Sequence, residues 1–189
     1  MDGIVVVAAS AGGLGPLRII VAALPVPCAA AIFVVVHIGS NPSILPDALG
    51  YTGPLPASFA RDGAAIEAGH IYVAPPDHHM LVGVTSMRLS QGPKVHATRP
   101  AADPLFISAA EAHGKRVMGI VLSGGDNDGA AGLRSVAEHG GTALVQDPKE
   151  AAAPSMPRAA IAEDHPHGCL PIEEIAKRVR SFCAGGKAV

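Results

Sequence analysis

A chain of 189 residues is long enough for one domain with a full core. Apolar residues make up 49% of it and charged ones 16%, an excess that suits strands buried on both faces of a parallel sheet. A formal net charge of −2, with no Trp, two Tyr and four Phe, supplies neither a basic footprint nor stacking platforms for nucleic acid.

In chain order, the β-branched run 4–9 predicts a first strand. It stops at Ser10-Ala11-Gly12-Gly13, and a helical pattern follows over 14–23. The apolar run 31–36 predicts a second strand ending at His37-Ile38-Gly39-Ser40. Strand, helix and strand in under forty residues form a βαβ unit with parallel pairing and a right-handed crossover. A short helix is expected over 43–49, then strands over 54–60 and 71–74 with Arg61-Asp62-Gly63 as a turn. The segments 80–84 and 87–90 alternate around Thr85-Ser86 and predict a hairpin. Residues 91–100 are polar and irregular. Asp103 is expected to cap a helix that has Pro104 at its first position and runs to about His113.

The run 116–122 predicts a buried strand ending in a second glycine-rich loop, Ser123-Gly124-Gly125-Asp126-Asn127-Asp128-Gly129. A helix over 130–139, a strand over 142–146, a short helix around 159–163 and a terminal helix over 172–183 complete the order. Ile175, Val179 and Phe182 mark the inner face of the last helix. The fold class is α/β: a doubly wound, mostly parallel sheet flanked by helices, Rossmann-like, with a short antiparallel hairpin. We expect one domain over 1–183 and a fraying tail over 184–189.

The stretch 19–36 carries one feature of a membrane span, its lack of charge, but Pro25 and Pro27 interrupt it. No basic segment precedes an apolar one at the N-terminus, so no signal peptide is expected and the chain reads as cytoplasmic, without membrane insertion. The three cysteines, Cys28, Cys169 and Cys183, lack metal-type spacing and are expected as small buried or half-buried side chains. His78, His79, His96, His113 and His139 are too scattered to predict a metal site.

Ligands of open α/β sheets sit at the carboxyl ends of the strands. Here those ends carry Ser10, His37 and the loop with Asp126 and Asp128. A serine, an imidazole to take its proton and a carboxylate to orient the ring are the set that a serine hydrolase needs. The helix start after Ser10 adds N–H groups suited to an oxyanion. Each residue also has a plainer use, as a turn or cap residue or a polar strand end, and spacing does not choose between Asp126 and Asp128. A phosphate cradle at the first loop is less well supported, because no Lys or Arg stands between Ser10 and Leu17 and neither phosphate-loop glycine pattern is matched.

The loop phrases together resemble the catalytic domain of the protein-glutamate methylesterase (CheB) family of bacterial chemotaxis. They are Ala9-Ser10-Ala11-Gly12-Gly13, Val36-His37, Tyr72-Val73-Ala74-Pro75-Pro76-Asp77-His78-His79-Met80, Arg99-Pro100-Ala101-Ala102-Asp103-Pro104-Leu105-Phe106, Leu122-Ser123-Gly124, Asn127-Asp128-Gly129-Ala130-Ala131-Gly132-Leu133, Gln146-Asp147 and Met156-Pro157-Arg158-Ala159-Ala160. The resemblance implies Ser10 as nucleophile, His37 as base and Asp128, directly before the Gly-Ala-Ala-Gly helix start, as the orienting carboxylate. It implies an oxyanion site at Ala11, Gly12 and Gly125, and no cofactor or metal. Arg99 is a candidate for positioning an acidic substrate, equally a loop anchor. The implied reaction is hydrolysis of glutamate methyl esters on a chemoreceptor-type protein through an acyl-enzyme, with glutamine deamidation as a related activity.

Three departures from the family pattern stand out. Ala11 replaces a common threonine. Gly125 replaces a methionine, and Asp126 places a second negative charge near Asp128, which favours imidazolium at His37 and weakens it as a base. No N-terminal receiver domain is seen, so control is expected from a separate protein such as a response regulator. The alternatives are an idle CheB-like signalling module and a hydrolase of another ester. The triad reading requires Ser10 Oγ within hydrogen-bond reach of His37, with Asp128 behind the ring.

Overall fold

A computed structural model of the chain describes residues 3–37, 42–163 and 166–185. The expected strand end at Ile38-Gly39-Ser40 and the last four residues of the expected tail lie outside these. The elements are β1 (Gly3–Ala9), α1 (Leu14–Ala22), β2 (Ala30–Val36), α2 (Leu45–Thr52), β3 (Ala57–Phe59), β4 (Ile71–Val73), β5 (His79–Val82), β6 (Met87–Ser90), α3 (Ala102–His113), β7 (Val117–Val121), α4 (Ala130–Glu138), β8 (Thr142–Gln146), α5 (Ser155–Glu163), β9 (Gly168–Leu170) and α6 (Ile172–Cys183).

Seven strands form one parallel sheet in the order β3-β4-β2-β1-β7-β8-β9, and β5 and β6 pair antiparallel beside it. The chain builds outward from β1 through β2, then returns to β7 on the other flank of β1. This reversal opens a crevice at the carboxyl ends of β1 and β7, the usual ligand position in such sheets.

The central strands are apolar on both sides because both sides are covered. Ile4, Val6 and Ala8 of β1 join Phe33 and Val35 under α3, α4 and α5, where Phe106 and Leu133 are buried. Val5, Val7 and Ala9 join Ile32 and Val34 under α1, α2 and α6, with Leu17, Leu49 and Val179. Strand side chains alternate between faces, so the odd and even residues of β1 feed two separate cores. Burying a side chain such as Phe33 or Phe106 stabilises the fold by roughly 2–3 kcal/mol.

The uncharged stretch 19–36 resolves as the end of α1, a loop and β2, and among the described residues no helix is long and apolar enough to cross a membrane. β9 is an addition to the elements read from sequence; three partly exposed residues extend the sheet beside β8. Cys28 and Cys183 are buried with their thiols beside one another, and the Cys28 thiol donates to the Ala30 carbonyl at 3.3 Å. Cys169 corrects the expectation of burial: it is exposed, on the edge strand β9.

Candidate active site

The turn after β1 is closed by the Gly13 N–H donating to the Ser10 carbonyl at 2.9 Å. Gly12, its third residue, has φ +72°, as a type II turn requires there. Ser123, just past β7, fastens this turn: its carbonyl accepts the Ser10 N–H at 2.9 Å, and its hydroxyl donates to the Ala11 carbonyl at 2.8 Å. The Ser123 N–H in turn donates to Gln146 Oε1 at 3.0 Å, so the ends of β7 and β8 brace the turn. Gly124 leaves Ser10 its space, since a Cβ there would lie 3.0 Å from the Ser10 Cβ and overlap Met156. Among the described residues, the N–H groups of Ala11, Gly12 and Gly125 donate to no protein acceptor.

Sheet register brings His37 to the turn. Ala8 pairs with Val35 and Ala9 with Val36, and the His37 N–H donates to the Ala9 carbonyl at 3.2 Å. Ser10 and His37 are the next residues on two strands that lie about 4.8 Å apart. By alternation each continues the face of Ala8 and Val35, toward α3 and α4. Asp128 waits on that face. Its fully buried Oδ2 lies 2.7 Å from His37 Nε2.

The expected triad is thus assembled at its carboxylate end and open at its serine end. Among the described residues Ser10 Oγ makes no hydrogen bond. The second ring nitrogen of His37, Nδ1, lies 3.1 Å from Asp126 Oδ2. That contact is at ion-pair distance but off axis, so Nδ1 is buried without a hydrogen-bond partner. Both candidate carboxylates therefore meet the same imidazole, one at each nitrogen.

Burial opposes charge on His37, but the hydrogen bond and charge of Asp128, joined by Asp126, outweigh it and raise the imidazole pKa above its ordinary value. Burial likewise opposes ionisation of Asp128. The bond to His37 and two backbone N–H donors overcome it and hold the carboxyl below its usual range.

Those two donors are Ala102 N–H, at 2.5 Å, and Asp103 N–H, at 3.0 Å. They open α3, whose cap residue is Ala101, in extended backbone. This corrects the expected role of Asp103: the carboxylate that caps α3 is Asp128, brought from another loop. Asp103 faces away from its own helix start and accepts the N–H groups of Gly129, at 3.0 Å, and Gly132, at 2.7 Å, at the head of α4. Its other oxygen meets His96 Nε2 at 2.8 Å. Burial, with the charge of Asp128, raises the pKa of Asp103 against these bonds.

Ligand atoms of His96, Asp103 and Asp128 lie within 4.8 Å of one another, the one grouping of metal-ligand type among the described residues. Every one of its oxygens already accepts an N–H or a ring nitrogen, so the donor set fits a hydrogen-bond network better than a cation cage. The other histidines named above are each bonded to carbonyls: His78 to Pro76, His79 to Pro93, His113 to Gly83 and His139 to Ser135.

Arg99 is used as a loop anchor. Its Nε and one terminal nitrogen donate to Asp77 Oδ1 at 3.0 and 2.8 Å, and the other terminal nitrogen donates to the carbonyls of Gln91 and Gly92. Four of its five N–H donors are thus directed at Asp77 and the 91–92 backbone. Asp103, Ser123 and His96 are the residues that sequence reasoning passed over as site components. The first two stood inside the quoted loop phrases, which was their signal; His96 had none.

The family model for CheB methylesterase matches residues 5–179. The chain is 37% identical over 180 residues to protein-glutamate methylesterase/protein-glutamine glutaminase 2 of Anaeromyxobacter dehalogenans, covering 95% of this chain and 53% of that one. It is 36% identical over 181 residues to the protein of the same description from Pyrococcus horikoshii, covering 93% and 49%. The chain therefore spans about half the length of these curated relatives. The crystal structure of the Thermotoga maritima CheB methylesterase catalytic domain superposes with a TM-score of 0.91 at 29% identity, covering 96% of this chain and 99% of that one. Sequence and topology agree: the chain belongs to the CheB methylesterase family.

Proposed function

We propose that the chain is a serine hydrolase that removes methyl esters from glutamate side chains of a chemoreceptor-type signalling protein. The observation that carries this reading is the 2.7 Å contact of His37 Nε2 with a buried, doubly N–H-capped Asp128, at a strand end in register with Ser10. The carboxylate fixes the tautomer and leaves Nδ1 as the basic nitrogen.

In the reaction, Ser10 Oγ attacks the ester carbonyl and its proton passes to His37 Nδ1. The oxyanion meets the N–H groups of Ala11, Gly12 and Gly125, which have no acceptor of their own among the described residues. The C–O bond to the methoxy group breaks, and methanol leaves with the proton from His37. Water then attacks the acyl-serine, giving its proton to His37. Collapse frees the glutamate carboxylate, and the proton returns to Ser10. The relatives are named for a glutaminase activity as well, and the same steps with ammonia as leaving group deamidate glutamine. A cytoplasmic site of action and control by a separate response regulator go with this reading.

The test is methanol release from a methylated chemoreceptor fragment. Wild type is expected to exceed Ser10→Ala by at least about a thousandfold, the scale of removing a triad member. Equal, background-level release from both sinks the methylesterase assignment.

A further inference from the structure

The imidazole of His37 has two nitrogens and two carboxylates. Asp128 holds Nε2 at 2.7 Å, so Nδ1 is the nitrogen left to receive a proton from Ser10. Asp126 stands at Nδ1 with Oδ2 at 3.1 Å, while among the described residues Ser10 Oγ makes no hydrogen bond. We propose that Asp126 is a brake on the base: it occupies the ring nitrogen that would take the serine proton, and Ser10 becomes reactive only as this pair gives way. This rests on the hydrolase reading above and names the regulation of that same site.

The loop is built to hold Asp126 there and to let it go. Asp126 Oδ1 accepts the Asp128 N–H at 3.0 Å, which turns the carboxylate back over its own loop toward the ring. Its side chain is 32% exposed, against 7% for His37 and none for Asp128, so of the three Asp126 has the most room to turn away toward solvent. Gly125, with open space around it, precedes it.

The charged groups facing the ring are few. Asp126 and Asp128 come from the β7–α4 loop. Behind Asp128 stands Asp103 of α3, and His96, from the loop before α3, pairs with Asp103. Ser10 follows β1 at the position in register with His37. Among the described residues no lysine or arginine forms an ion pair with Asp126, Asp128 or Asp103. The ring is thus met by negative charge alone. A proton on it is stabilised at both nitrogens, and an imidazolium cannot act as a base. Loss of that proton to solvent, past the exposed side of Asp126, makes Nδ1 free. Asp126 works through His37 and is a positioning residue; it touches no substrate atom in this scheme.

The experiment uses the whole chain as Asp126→Asn, which keeps an oxygen for the Asp128 N–H, and as Asp126→Gly, which removes the side chain. The imidazole of His37 is titrated by NMR. The rate of covalent labelling of Ser10 by a fluorophosphonate is followed against pH, with Asp126→Glu as the conservative control. In both carboxylate-free variants the His37 midpoint is expected to fall by roughly one pH unit, and the labelling limb to move with it. Labelling at neutral pH then rises by about five- to tenfold, and Asp126→Glu returns both toward wild type. Unchanged midpoints, or a shifted midpoint with an unmoved labelling limb, overturn the brake. Methanol release is measured in parallel: labelling that responds as stated without methanol release at any pH rejects the methylesterase reading and leaves the brake standing.

Discussion

Asp128, just ahead of α4, caps the helix that holds Asp103, and Asp103 in turn caps α4. Asp128, ahead of α4, accepts the N–H groups of Ala102 and Asp103 at the head of α3, while Asp103, in α3, accepts those of Gly129 and Gly132 at the head of α4. The four unpaired donors at a helix start attract an acceptor, and the positive dipole end favours a negative one. Here one exchange serves both helices. It also fixes the carboxylate that meets His37, so the packing of α3 on α4 sets the geometry at the carboxyl ends of β1 and β2.

This exchange predicts unequal costs at its two members. Asp128→Ala leaves two buried N–H groups and the His37 ring without an acceptor and is expected to destabilise the fold by about 3 kcal/mol. Asp103→Ala is expected to cost about 2 kcal/mol for the lost Gly129 and Gly132 bonds. Asp103→Asn keeps one oxygen for both donors and removes a charge that burial and Asp128 disfavour, so it should fall within about 1 kcal/mol of wild type. Urea unfolding of the three variants measures the order; an Asn variant as damaged as the Ala variant contradicts it.

The two glycine-rich loops predict opposite tolerance. At Gly12, φ is +72° and a Cβ would sit 2.6 Å from the Ala152 Cβ and 3.0 Å from Ser123 Oγ. Gly12→Ala should therefore lower stability by about 1–3 kcal/mol and shift the Ser10 turn, with activity falling too. At Gly125 nothing lies within 4 Å of the position a Cβ would take. Gly125→Met, which restores the family residue, should change stability by less than about 0.5 kcal/mol. Thermal midpoints of both variants decide this, and a destabilised Gly125→Met shows that the loop is less open than described.

What the sequence made legible is what local pattern encodes. Apolar runs such as 4–9 and 31–36 are strands because both their faces are buried, and Ser10 and His37 mark the points where that burial stops. β9 left no such mark: three residues, partly exposed, on one edge of the sheet, carry neither a run nor an alternation. Asp103 before Pro104 has the local form of a helix cap, and local form cannot report that a carboxylate 25 residues away takes that place. The thiol contact of Cys28 with Cys183 joins the two ends of the chain and follows from the docking of α6 against the segment before β2, where the Ala29 N–H donates to the Cys183 carbonyl. The charge of Asp126 was legible beside Asp128; that its carboxylate reaches the far nitrogen of His37 depends on the loop fold.

The same groups predict how stability varies with pH. Asp128 lies below the ordinary carboxylate range, held there by His37 and two N–H donors against burial. Its contribution is full above the unfolded value of about 4 and is lost as pH falls through the lower folded value. His37 lies above its ordinary value. Its contribution is full below about 6.5 and is lost as pH rises through the folded value. The pair therefore supports the fold most strongly between roughly pH 4 and 6.5, with a decline on each side. Asp103 runs the other way: its raised pKa means that the folded state binds its proton more tightly, so its contribution is present at low pH and is lost as pH rises through the folded value. Urea midpoints taken across pH 3 to 9 should show three things. Wild type declines on the alkaline side, His37→Gln flattens that limb, and Asp103→Asn gains on wild type as pH rises above 4. A wild-type midpoint that climbs steadily from pH 6 to 9, with His37→Gln parallel to it, would mean that neither carboxylate holds charge on the ring.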